Sequence, residues 1–200
     1  TMEQWGFLAF TEKLRDGFIA ENRYGNANVY DYCRTKVGKF LNPKAEQPSK
    51  KEKYIFSNDI EFPMIDYDWL RRLEIYLNKE GLKENSLSQV FRTIRAIYNV
   101  ATKSSYQLAL PADYPFGEFT LSNRFEVDPD PDFIPLEEVW KIEKLSLNPE
   151  SPLFDAKNYL LFSFYGGGLN LKDVASLKWS NRKDDVIHLK RSKTNRKGKI

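Results

Sequence analysis

Four polar side chains, Ser88, Arg92, Arg95 and Asn99, recur at intervals of four, three and four residues. On a helix that spacing puts them on one face. Two guanidinium groups flanked by small polar groups suit a surface that holds phosphates or reads base edges, although a solvent-facing stripe would carry the same residues. Arg34, Lys36 and Lys39 on the second predicted helix offer a companion surface. A second constellation lies between Tyr165 and Lys199. It opens with Gly166-Gly167-Gly168-Leu169-Asn170-Leu171-Lys172-Asp173 and closes on a basic stretch holding Arg191, Lys193 and Arg196. Glycines there permit left-handed turns and close approach of the backbone to a ligand. Asn170 can cap a helix with Asp173 at its third position, as a variant of the capping box. A lysine in a basic hairpin can neutralise a phosphate or protonate a leaving oxygen; Lys193 would equally serve as a solvated turn residue.

Other chemistries are restricted by what the chain lacks. Its 200 residues include one cysteine and one histidine, too few for an internal disulfide or a zinc site built from these residues. A serine–histidine–acid triad would have to use His188. The longest largely apolar stretch, Tyr159 to Leu169, contains three glycines and is too short to cross a bilayer. The N-terminus lacks the basic-then-apolar order of a signal peptide. With one cysteine, a reducing cytoplasm is the expected compartment. The net charge of +3 is unevenly placed: residues 1–105 carry +3, residues 106–181 carry −6 and residues 182–200 carry +6. A basic tail behind an acidic middle suits a local contact with a polyanion.

The elements that must position these residues follow from periodicity. Aromatic residues, 14% of the chain, supply ample core material. Trp5, Leu8, Leu14 and Phe18 recur at near-helical spacing, as do Val29, Cys33, Val37 and Phe40. Asp66 is placed to cap a helix carrying Trp69, Leu70, Leu73, Tyr76 and Leu77, which should stop near Gly81. Asn85 or Ser86 then opens a long helix with Leu87, Val90, Phe91, Ile94, Ile97, Tyr98 and Ala101 on its apolar face. Four such helices make a small all-α domain over residues 1–105. Five prolines between Leu110 and Pro135, with the acidic run Asp128 to Asp132, predict an extended linker over residues 106–134. Beyond it, residues 135–200 predict a helix opened by Pro135, a buried apolar helix from Asp155 to Tyr165, a short helix, and a strand over Val186–Lys190 followed by a turn and a strand from Lys199. The fold class is therefore mainly α with a small β-sheet. The last strand is barely begun, which predicts a truncated product.

The order of these pieces carries a resemblance. A four-helix basic domain, a linker with Pro115-Phe116, a Leu-Glu-Glu-Val helix, the run Phe162 to Trp179 and then Lys190-Arg-Ser-Lys-Thr194 resemble a tyrosine recombinase of the phage integrase family, in the style of those carried by mobile elements of Bacteroides-type bacteria. The stretch Ser86 to Ala101 is similar to that group's core-binding domain. The resemblance implies a SAM-like helical core-binding domain over 1–105 and the first part of an α+β catalytic domain over 135–200. It implies duplex DNA with attachment-site-like sequences as partner, higher-order assembly on DNA, and no metal or other cofactor. In the chemistry it implies, a tyrosine attacks a phosphodiester, a 3′-phosphotyrosyl link forms, and the 5′-oxygen leaves with a proton. Lys193 matches the hairpin lysine that acts as general acid, and Asp173 matches the supporting acid. Lys36, Lys39, Ser88, Arg92, Arg95, Asn99, Arg191 and Arg196 are the expected DNA-binding residues. Asn170 departs from the pattern, because it occupies the usual position of the family's first arginine. The family's later His-x-x-Arg motif and nucleophilic tyrosine have no match among these residues, so this chain alone is expected to bind DNA without cleaving it. A non-catalytic relative that regulates or assists recombination is the alternative.

Overall fold

The computed structural model describes residues 5–44, 54–125, 133–192 and 196–200. The chain divides into two compact units, Thr1–Pro129 and Asp130–Ile200. It is mainly helical, with one small antiparallel sheet.

The first unit contains α1 (Phe7–Ala20), α2 (Tyr24–Leu41), α3 (Tyr67–Lys79), α4 (Glu84–Ala101) and the short α5 (Leu121–Arg124). The two strongest amphipathic patterns fold as their spacing dictates. Leu87, Val90, Phe91, Ile94, Ile97, Tyr98 and Ala101 of α4 are buried, and so are Trp69, Leu70, Leu73 and Leu77 of α3. Asp66 caps α3 by accepting the Trp69 amide at 2.7 Å, and the helix gives way to Gly81 at φ 78°. The long helix starts slightly earlier than its polar residues suggest, with Lys83 as its N-cap.

Capping of α1 comes from far along the chain. The Asp59 carboxylate accepts the Leu8 and Ala9 amides at 2.7 and 3.0 Å, and the Ile60 carbonyl accepts the Phe7 amide at 2.7 Å. Gly6 makes room for this, since a Cβ there would stand 2.4 Å from the Asp59 carboxylate. Asn42, just past α2, holds the same returning segment. Its amide nitrogen donates to the Gly38 and Asn58 carbonyls, and its oxygen accepts from Ser57 and the Asn58 amide.

Residues 106–125 differ from the extended linker that the prolines predict. Ala109, Phe116, Phe119, Leu121 and Phe125 are buried in the first unit's core. Phe91 packs on Phe119 and Phe125 with ring centroids 5.1 and 5.2 Å apart. The prolines open two short 3₁₀ turns, Pro111–Asp113 and Pro115–Gly117, while the aromatic residues between and after them supply the burial. Residues 126–132, with the whole acidic run Asp128 to Asp132, lie outside the described residues.

The second unit holds α6 (Leu136–Glu143), α7 (Pro152–Tyr165), α8 (Leu171–Ala175), β1 (Arg182–Lys183), β2 (Val186–Lys190) and β3 (Lys197–Lys199). The strands are antiparallel in the order β1-β2-β3, with Lys183 opposite Val186 and Leu189 opposite Gly198. Asp184 and Asp185 take φ values of 49° and 61°, as a two-residue hairpin turn requires. The last strand begins two residues earlier than the turn residues predict. Val139, Leu169 and Leu189 are the buried apolar residues described here. The apolar helix expected to be buried, α7, has no buried residue. Phe162, Phe164 and Tyr165 are exposed because no described element of the unit covers them.

Candidate nucleic-acid interface

The face of α4 opposite the core carries three of the four predicted residues in the open. Arg92, Arg95 and Asn99 are exposed, and among the described residues neither arginine forms an ion pair. Ser88 differs: it is 2% exposed, and its hydroxyl has no hydrogen-bond partner. Leaving a buried hydroxyl unpaired costs about 1–3 kcal/mol. Ser88 and Arg92 line one cavity of about 360 Å³ together with Asn85, Gln89 and Thr93.

Three other arginines of the first unit, Arg15, Arg34 and Arg124, are committed to its own structure. Arg34, read from sequence as part of a companion surface, is buried and bonded to Glu12 at 2.9 Å. Its guanidinium also lies 5.2 Å from the centroid of the Phe56 ring. Arg15 is buried among Glu12, Asp16 and Asp31 at 2.7–2.9 Å. Burial opposes its charge, yet hydrogen bonds to the three carboxylates leave its guanidinium above its ordinary value. Arg124 bonds to Glu74 and to the Tyr67 hydroxyl. Lys36 and Lys39 remain on α2, half-buried, with their ammonium groups over the rings of Tyr32 and Tyr54 at 5.5 and 4.8 Å. A hydrogen bond with Tyr54 holds Lys39 above its ordinary pKa.

In the second unit, α7 ends in the glycine run as its sequence suggests. Gly167 and Gly168 take φ values of 73° and 75°. Ser163 ties the turn, donating its hydroxyl to the Leu169 carbonyl at 2.5 Å and accepting the Gly168 amide at 2.9 Å. Asn170 caps α8 by accepting the Lys172 amide at 3.0 Å. Only that half of the expected capping box is seen, because the Asp173 carboxylate turns to the β2–β3 hairpin. It accepts both the amide and the hydroxyl of Ser192, at 2.8 and 2.6 Å. Asp173 is 5% exposed. The Ser192 hydroxyl and then its amide hold the carboxyl below the usual carboxylate range.

Ser192 was not among the predicted residues; its place immediately before Lys193 was the available signal. Arg191 and Arg196 are exposed at the hairpin, which the Arg191 amide closes by donating to the Arg196 carbonyl at 2.8 Å. Lys193 lies outside the described residues. His188 sits within β2, opposite Lys199. Among the described residues no group of His, Cys, Asp and Glu could hold a metal ion, and no helix is long and apolar enough to cross a membrane.

Residues 6–112 match the family model of the phage integrase SAM-like domain. The chain belongs to the phage integrase family. The match spans α1 to α4 and the first proline turn, the part of this integrase-family chain that carries Lys36, Lys39, Ser88, Arg92, Arg95 and Asn99. Neither the curated proteins nor the solved structures gave a match. Membership of the integrase family places the chain among proteins of DNA recombination and implies interaction with DNA in general terms.

Proposed function

We propose that this chain is the DNA-binding portion of a tyrosine-type site-specific recombinase that integrates or excises a mobile element. The observation that carries the reading is α4. Its apolar face is buried in the core, while Arg92, Arg95 and Asn99 stand exposed together on the other side. In this reading α4 and the α2 lysines form the DNA-facing surface of a core-binding domain. The second unit is the opening part of a catalytic domain, and the exposed aromatic residues of α7 support that assignment, since they suit a helix packed inside a larger fold.

Within the proposed catalytic part, Asp173 supports the site by holding the hairpin at Ser192. Lys193 is assigned as the proton donor to the departing 5′-oxygen, and Arg191 and Arg196 as phosphate contacts. The tyrosine that attacks phosphorus matches none of the eleven present, so the chain by itself binds without cleaving. Attachment-site-like duplexes, assembly of several protomers on DNA and a cytoplasmic location belong to the same proposal.

The test is a duplex titration over a range of salt concentrations. Affinity should fall steeply with salt, and Arg92→Ala and Arg95→Ala should each weaken binding at fixed salt. Unchanged affinity in both variants would remove α4 from the interface.

Asn170 favours a second reading, a non-catalytic relative that assists or regulates recombination. It places a neutral amide where the family's first arginine is expected, and that amide is engaged in capping α8. A covalent adduct between the full-length gene product and a nicked duplex separates the readings, because only the recombinase forms one.

A further inference from the structure

We infer that the cavity over the first turns of α4 seats one backbone phosphate of duplex DNA, held by Ser88 and Arg92, while Arg95 and Asn99 are left to face the bases. The inference rests on the reading of α4 as a DNA surface and divides that surface into two functions.

The division comes from geometry. Arg92 lines the cavity with Asn85, Ser88, Gln89 and Thr93, whereas Arg95 and Asn99 are not among its walls. The lining supplies a guanidinium, two side-chain amides and a serine hydroxyl. Such a donor-rich, concave set suits an anion with several acceptor oxygens better than the flat edge of a base. Helix α4 begins at Glu84, so Asn85 alone among the lining residues lies in its first turn, where the helix dipole acts. Glu84 is exposed and does not line the cavity.

Ser88 supplies the independent observation. Thr11 and Thr93 donate their hydroxyls to carbonyls four residues back, at 2.6 and 2.7 Å, and Tyr98 donates to the Asp113 carbonyl at 2.9 Å. Ser88 is buried on the same kind of helical surface, yet its Oγ makes no such bond. Turning it about χ1 toward the cavity therefore forfeits no existing hydrogen bond. A phosphate oxygen in the cavity would give the hydroxyl the acceptor that the protein does not.

Ser88→Ala tests this, because its two expected effects have opposite signs. Removing an unpaired buried hydroxyl should raise the melting temperature of the chain. It should also weaken duplex binding about three- to tenfold without changing the salt dependence. Arg92→Ala should reduce the slope of log affinity against log salt by about 0.9, the share of one phosphate. Arg95→Ala should weaken binding and alter the base preferences selected from a random duplex pool, while Arg92→Ala leaves them unchanged.

A Ser88→Ala variant that melts higher but binds as tightly as the parent would overturn the phosphate seat, and so would one that melts lower. Weakened binding by Arg95→Ala in either case would leave the broader DNA reading standing. If none of the three variants binds differently, the α4 interface falls with its subdivision. Melting the wild type in phosphate and in chloride at matched ionic strength should give equal temperatures. A rise in phosphate that Ser88→Ala abolishes would assign the cavity to free phosphate and overturn its assignment to DNA.

Discussion

The two units use their apolar residues in opposite ways. In the first, helices α1 to α4 and the proline-punctuated segment after them enclose a core in which Phe7, Phe10, Phe62, Phe91, Phe119 and Tyr98 are fully buried. In the second, α7 is the more apolar helix by composition, yet none of its residues is buried, and Trp179 is 90% exposed. The contrast shows that hydrophobic content does not by itself make a core. A core needs facing elements with matching apolar faces, and the first unit has them in α3 and α4. The second has α7, which is as long as α1 but has no buried face, two shorter helices, a three-stranded sheet and, among its described residues, three buried apolar side chains.

The largest consequence concerns autonomy. Residues 1–129 expressed alone should unfold in one cooperative thermal transition. Residues 130–200 alone should bind a hydrophobic dye and show no sharp transition. A cooperative melt of the isolated second unit would break the comparison. A smaller effect separates single side chains. Phe91→Ala should destabilise the first unit by about 3–5 kcal/mol, as expected for an enclosed aromatic residue. Phe162→Ala, on exposed α7, should change stability by less than about 0.5 kcal/mol. Chemical denaturation of the two variants checks the difference, and equal losses would place α7 in a core after all.

The smallest expected effect is local. Asp173 has a carboxyl pKa depressed by Ser192, so its bond to the hairpin is present at neutral pH. It weakens only as pH falls through that depressed value, below the usual carboxylate range. Exchange protection of the Ser192 amide, followed by NMR, should decline over that acidic window. In Asp173→Asn the protection should be low throughout and insensitive to pH there. Protection that persists in Asp173→Asn would show that the second unit holds its hairpin by other means.

What could be read from the sequence was what depends on neighbours along the chain. The buried stripes of α3 and α4, the Asp66 cap, the left-handed glycines after α7 and the β2 strand all arise from spacings of a few residues. Contacts across long separations were not legible. Asp59 caps α1 from 51 residues beyond Leu8, and nothing near either position announces it. Phe116, Phe119 and Phe125 lie among prolines and turn residues that also suit an open connector. Basic residues were the hardest to sort. Arg34 and Arg92 are both helical arginines, and only the carboxylate of Glu12 and the Phe56 ring make one internal while the other remains outside. Asp173 could be placed in the first turn of α8 from sequence, but its partner Ser192 becomes a neighbour only when the hairpin folds back.

Cys33, the single cysteine in the sequence, donates its thiol to the Val90 carbonyl at 3.7 Å and is sealed within the first unit. Burial also pushes its pKa up, so little of it exists as the reactive thiolate. This chain should thus react slowly with maleimide reagents while folded. A cysteine introduced at Asn99 would accept a fluorophore or spin label without any prior removal of Cys33, leaving a reporter on the exposed face of α4.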